Sequence, residues 1–354
     1  MMDSADSVSR LEQSLGCAWP HLRDAKRRAE AKRRELRDAL DGFASEDTSI
    51  VVSGSLARDE FTDGSDIDWT LLIDGLADPK HYDLCREIGK VVDAHSSKKP
   101  GPEGTFGAMV FSHDLIHQIG GEDDTNKNTT RRLLLLLESR TVGREEAYDR
   151  VARHVLSRYL LEDRGLWRGS QYRVPRFLQN DVARYWRTMA VDFAYKLRDR
   201  AGKGWAIRNF KLRMSRKLIY ISGLLACFQC HLDQSDPQVG DLFRDPSRRK
   251  EVVEYFRQML AATPLEMVAG VLLRYPHLAD AARDIFEPYN EFLGILADSE
   301  KRKRLDALSE EDSVSDEVYQ SARRLTHRFR DGLLAFFFDP KSELDELTKN
   351  YGFF

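Results

Sequence analysis

The stretch Val51 to Asp74, VVSGSLARDEFTDGSDIDWTLLID, limits what this chain can fold into more than any other. Ile50, Val51 and Val52 form a short apolar run that predicts a buried strand. Gly54 and Ser55 break the run, residues 56–61 have the composition of a short helix, and Thr62 to Ser65 read as a turn. A second strand is expected from Asp66, with an acidic start running into Trp69, Leu71, Leu72 and Ile73. A small Gly-Ser pair at a helix N-terminus lets backbone N–H groups approach an anion, and the helix dipole assists. Asp66 and Asp68 stand two apart on a strand, so both carboxylates share a face and can share a divalent cation. The pattern points to phosphate and metal chemistry.

Gly-Ser, ten intervening residues and Asp-x-Asp leading into a hydrophobic strand resemble the DNA polymerase beta-type nucleotidyltransferase superfamily. Within it, GSLARDEFTDGSDIDWTLLID is most similar to the group of PII uridylyltransferases and glutamine synthetase adenylyltransferases. Thr129 to Gly143, TTRRLLLLLESRTVG, resembles a helix of those enzymes. The likeness covers roughly residues 48 to 145.

The resemblance implies an α+β fold, with a small mixed-sheet nucleotidyltransferase domain followed by an all-helical domain. The boundaries expected are 1–47 for an N-terminal helical segment, 48–145 for the nucleotidyltransferase domain and 146–354 for the helical domain. It implies NMP transfer from an NTP to a hydroxyl acceptor with release of pyrophosphate, using Mg²⁺ or Mn²⁺. Asp66 and Asp68 would hold the metal, and the third carboxylate usual in the family is assigned by position to Asp114, with Asp93 as runner-up. Gly54 and Ser55 would grip phosphates, and Arg58 would either contact phosphate as well, the preferred reading, or pair with Glu60 at the surface. Arg208 and Lys211, with Arg213 and Lys217 about a turn beyond and Trp205 nearby, would offer cations to the triphosphate. The alternative for such a cluster is a solvated basic face. A protein hydroxyl is slightly favoured as acceptor. RNA tailing or synthesis of cyclic or oligonucleotides is the alternative, and a non-catalytic nucleotide-binding regulatory module is the competitor from another class.

Composition narrows the setting. At 354 residues the chain has room for two domains, and 42% hydrophobic with 32% charged residues fits a soluble globular protein. A net charge of −3 exerts no global pull on nucleic acid, so anion binding must come from local patches. No apolar run reaches the roughly 18–20 residues that span a bilayer, and no membrane partner is expected. The acidic, polar N-terminus carries no recognisable signal peptide, and four irregularly spaced cysteines suit a reducing compartment; a cytoplasmic location is expected.

In chain order, residues 8–41 read as one helical stretch whose basic second half is either a polyanion contact or a surface of Arg–Glu pairs. A helix is expected from 78 to 94, a loop over 96–104 and a strand over 107–112. The acidic loop 120–126 precedes a helix that Thr125 or Asn128 could cap. Helices follow near 145–163, 178–200, 206–232, 248–261, 265–273, 278–297 and 314–337, with the charged segment 298–315 as a surface connection. Two patterns are set aside. Cys227-Phe-Gln-Cys230-His231 matches a haem-attachment spacing but sits in an apolar helix where buried thiols are ordinary. His113-Asp-Leu-Ile-His117 has zinc-ligand spacing without a third ligand, with His113 expected to end a strand.

Overall fold

Alternation along two hydrophobic segments builds the sheet. Trp69, Leu71 and Ile73 point to one face and Thr70 and Leu72 to the other, as a strand of period two requires. The computed structural model describes residues 7–96, 106–167, 173–199 and 202–352. It contains β1 (Thr48–Ser53), β2 (Asp68–Ile73), β3 (Ala108–Phe111) and β4 (Ser139–Thr141) in one mixed sheet of order β3-β2-β1-β4. β1 runs antiparallel to both β2 and β4, while β2 and β3 are parallel. The mixed α+β architecture expected from the sequence is the one observed.

The chain divides into two compact units. One comprises Ala25–Arg164 and Leu242–Thr263, the other Met1–Asp24, Gly165–Asp241 and Pro264–Phe354. The expected boundaries at 47/48 and 145/146 both fall inside the first of these.

In the sheet-containing unit, Ile50, Val52, Trp69, Leu71 and Ile73 bury one face against Ala29, Leu36 and Leu40 and against Ile88 and Val92. The first set lies at or just after α2 (Pro20–Ala39), which follows α1 (Ser7–Leu15), and the second lies on α3 (Lys80–Ala94). Each such side chain removed from water contributes roughly 1.5–3 kcal/mol. The other face lies under α4 (Ser112–Ile116) and α5 (Asn126–Leu137), which bring Leu115, Leu134 and Leu135 over Val51, Thr70 and Leu72. α6 (Glu146–Leu161) is joined by the distant helix Arg249–Met259 through the Arg257–Asp149 ion pair and a 2.5 Å Arg153–Glu254 contact.

The other unit is helical. Trp19 stacks on Phe286 with centroids 4.7 Å apart, Phe210 meets Phe292 edge-on, and Asn290 accepts hydrogen bonds from the backbone N–H groups of His21 and Leu22.

Several local expectations are corrected. The stretch 8–41 is two helices, separated after Leu15, where Gly16 takes φ +61°. Residues 56–61 do not form a helix: a single 3₁₀ turn, Gly54–Leu56, is followed by Asp59 at φ +63°, which right-handed helix cannot accommodate. The leucine-rich helix stops at Leu137, and the next residues pair with β1 as β4. His113 lies in α4 rather than at a strand end. The charged segment 298–315 carries helices Ser299–Ala307 and Glu310–Ser313, each capped by the acceptor side chain before it, Asp298 or Ser309. The loop expected over 96–104 lies, from 97 onward, outside the described residues.

Candidate functional site

Strand register brings the Gly-Ser turn and the acidic pair together. Ser53 is paired with Asp68, so the residue after β1 emerges beside the first residue of β2. That residue is Gly54, at φ +69°, and a Cβ placed on it would lie 3.1 Å from Asp68 Oδ2. Only glycine brings backbone so close to a carboxylate in this conformation without strain. Ile67 and Trp69, on either side of Asp68, are buried in the sheet core, and Asp66 precedes the strand, which begins at Asp68 and not at Asp66 as the sequence suggested. Asp66 is exposed and Asp68 half-buried. The turn before them is closed by Thr62 and Ser65, whose backbone and hydroxyl groups bond reciprocally at 2.8 and 3.1 Å.

The loop between β1 and β2 is held from several sides. Gly54 O accepts from the N–H groups of Ala57 and Arg58, and Ser55 O from that of Glu60. Arg58 is buried and its guanidinium is shared between Glu60, at 2.9 Å, and Glu138, just before β4. It is therefore engaged with two carboxylates; of the two readings the sequence allowed, a phosphate contact or a surface pair with Glu60, the pair is present, but buried and shared with Glu138. Asp59 lies between two more arginines. Arg33 of α2 approaches its Oδ1 to 2.7 Å, without hydrogen-bond alignment, and Arg140 of β4 its Oδ2 to 3.8 Å. The same two arginines donate to the carbonyls of Leu56 and Ala57. Arg33, Arg140 and Glu138 were not singled out from the sequence. Nothing in their spacing signals that they converge on this loop, because strand pairing creates the meeting.

The remaining expected residues lie elsewhere. Ile73 is opposite Phe111 at the far end of the parallel pair, and Asp114 comes after Phe111, in α4. Five residues of strand separate Asp68 from that end, roughly 16 Å. The structure does not bring Asp114 to the acidic pair. It faces Arg131 instead: burial pulls that guanidinium's pKa down, and the Asp114 charge opposes the shift. Extending the β2–β3 register two residues back puts Phe106 at the level of Asp68. Asp93 is exposed on α3. Arg208 and Lys211 belong to the helical unit, on the helix Trp205–Lys211.

The acidic loop before α5 has capping and anchoring work. Thr125 Oγ1 accepts from Asn128 N, and buried Asp124 binds Gly120 N at 3.0 Å and Arg132 at 2.8 Å. On the Asp68 side of the sheet, a cavity of about 30 Å³ lies among Val51, Thr70, Leu72, Phe106 and Leu115. It has space for about one water and none for a nucleotide. The basic half of α2 is partly neutralised by the pairs Arg28–Asp63, Lys32–Glu35 and Arg33–Asp59.

Among the described residues no group of three or more His, Cys, Asp or Glu side chains could hold a metal ion. Two aspartates with hard oxygen donors, one of them exposed, still fit a magnesium-like cation, which is commonly held by one or two carboxylates plus substrate phosphates. Cys227 and Cys230 are buried in the helix Lys217–Leu232, where burial raises the Cys230 thiol's pKa well above its usual value. No helix among the described residues is long and apolar enough to cross a membrane. Residues 33–100 match the family model described as nucleotidyltransferase domain, which covers the Gly-Ser turn, the acidic pair, β1, β2 and α3. No curated protein and no solved structure matches the chain.

Proposed function

We propose that this protein is a metal-dependent nucleotidyltransferase that moves an NMP group from an NTP to a hydroxyl acceptor and releases pyrophosphate. One observation carries the reading: Gly54, in a left-handed conformation, lies against Asp68, where the end of β1 meets the start of β2. The match of residues 33–100 to a nucleotidyltransferase domain supports it. The N–H groups at Gly54 and Ser55 would bind the β- and γ-phosphates, and Asp66 and Asp68 would hold Mg²⁺ or Mn²⁺. A divalent cation bound there supplies Lewis acidity toward the phosphates and lowers the pKa of the acceptor hydroxyl. Asp68, the less exposed of the pair, takes the hydroxyl proton while the acceptor oxygen attacks the α-phosphorus and the bond to pyrophosphate breaks. The likeness to the PII uridylyltransferase and glutamine synthetase adenylyltransferase group favours a protein hydroxyl as acceptor.

The test incubates purified protein with each α-³²P-labelled NTP and Mg²⁺ or Mn²⁺, with and without cell extract. Protein, RNA and small-molecule fractions are then separated. Label should enter one fraction and disappear in the Asp66→Ala/Asp68→Ala variant and in EDTA. Unchanged labelling by the double variant overturns the assignment, and NTP binding without any transfer favours a regulatory module.

A further inference from the structure

Two helices of the helical unit carry cations without acidic partners. One continuous run comprises Trp205–Lys211, a π-helical turn Leu212–Arg216 and Lys217–Leu232; the other helix is Glu317–Phe337. Trp205 and Tyr319 hold them together with ring centroids 5.2 Å apart, and the Tyr319 hydroxyl donates to Asn209 Oδ1 at 3.3 Å. Arg213 and Lys217 stand about one turn apart on the first, while Arg323 and Arg330 stand seven residues apart on the second.

The charges are close enough to sense one another. Burial depresses the Lys217 pKa, and Arg213 and Arg330 depress it further. Tyr319 likewise lies in the fields of Arg213 and Arg323. Asp331 pairs with Arg330 at 2.7 Å, and Glu310 acts on Tyr319. Among the described residues Arg213, Lys217 and Arg323 form no ion pair, although the same unit pairs Arg274 with Asp233, Arg304 with Asp316 and Arg328 with Asp284 and Glu287. A half-buried lysine between two arginines is unfavourable until an anion joins it.

Aromatic rings continue the row. Tyr220 is three residues after Lys217 and seven after Arg213, on the same side of the helix. It is half-buried and lies 5.6 Å from the ring of Trp186 on the helix Arg176–Asp199. Cations followed by stacking rings suit a single strand, whose phosphates need charge and whose bases offer faces.

We propose that the strip formed by Arg213, Lys217, Arg323 and Arg330, with Tyr220 and Trp186 at its end, binds single-stranded nucleic acid. Binding stands independently of the nucleotidyl transfer proposed above and leaves the protein hydroxyl as the proposed acceptor.

The test is fluorescence anisotropy of the full-length protein with fluorescein-labelled single-stranded RNA and DNA of about 15 nucleotides. EDTA is present and NTP absent, so a failure of the transferase assignment leaves the result readable. Binding is expected in the micromolar range, weakening between about 0.05 and 0.2 M salt. Arg213→Gln/Lys217→Gln should weaken it about 10-fold at low salt and reduce the slope of log affinity against log salt by about 1.4, at roughly 0.7 per neutralised phosphate. Tyr220→Ala should weaken binding but keep the slope, because stacking does not depend on counterions. Lys80→Gln/Lys127→Gln, in the other unit, should bind as the wild type does, and thermal melting checks that each variant is folded. Wild-type protein that binds neither strand, an Arg213/Lys217 double variant with unchanged affinity and slope, equal affinity for a duplex, or binding only to anionic lipid vesicles would each overturn the proposal.

Discussion

Gly54→Ala separates backbone strain from damage to the acidic pair. Gly54 has φ +69°, a conformation that costs a residue with a side chain roughly 1–2 kcal/mol. The added methyl also meets Asp68 Oδ2 at 3.1 Å, so the carboxylate must yield by a few tenths of an ångström. A misplacement of about 1 Å can cost about 100-fold in rate, and the smaller shift here should cost about 10-fold in kcat/KM. Gly42 provides the control: it has φ +79°, and a Cβ placed on it would meet nothing within 4 Å. Both alanine variants should therefore lose about 1–2 kcal/mol in urea unfolding. Only Gly54→Ala should lose nucleotidyl transfer in the labelled-NTP assay beyond what its stability explains. Equal transfer rates for the two variants would refute the close approach of Gly54 to a working Asp68.

Replacing Arg58 with Gln leaves Glu60 and Glu138 buried without their shared cation, and urea unfolding should show a loss of about 3–5 kcal/mol. A loss under about 1 kcal/mol would mean that the three groups are not coupled. Asp114→Ala should leave both transfer and its Mg²⁺ dependence within about 2-fold of wild type, roughly 0.4 kcal/mol, because the residue follows the far end of β3. Abolished transfer in a folded Asp114→Ala protein would contradict that register. In native protein near pH 8, maleimide should label Cys17 before Cys230, since burial raises the Cys230 pKa and little thiolate is present until the pH rises much further. Native labelling of Cys230 at the rate of Cys17 would show that its helix is not packed as described.

Much of the fold was legible because the signals were local. Alternation in Asp68–Ile73, the apolar helix expected over 265–273, and Thr125 as an N-cap each act over a few residues. Errors arose where distant partners override local preference. Ser139–Thr141 follows five leucines of a helix and becomes a strand because β1 offers an unpaired edge. Leu56–Phe61 has helical composition, yet two arginines from α2 and β4 hold Leu56, Ala57 and Asp59 in a tighter path. Aspartate tolerates φ > 0 better than most residues, but nothing in the sequence singles out Asp59 over Asp63 or Asp66 for φ +63°.

The candidate site divides along the same line. Gly54, Ser55, Asp66 and Asp68 lie within fifteen residues of one another, and the hairpin register that joins them follows from the hydrophobic pattern of its two strands. A third carboxylate would have to come from another strand, and its choice depends on parallel register across a long connection, which the hydrophobic pattern leaves open. Asp114 follows the predicted strand closely in sequence, but a parallel neighbour of β2 presents its beginning, not its end, to Asp68. The direction of β3 thus decides the matter: a carboxylate after an antiparallel strand would return to the acidic pair, whereas one after a parallel strand is carried away from it.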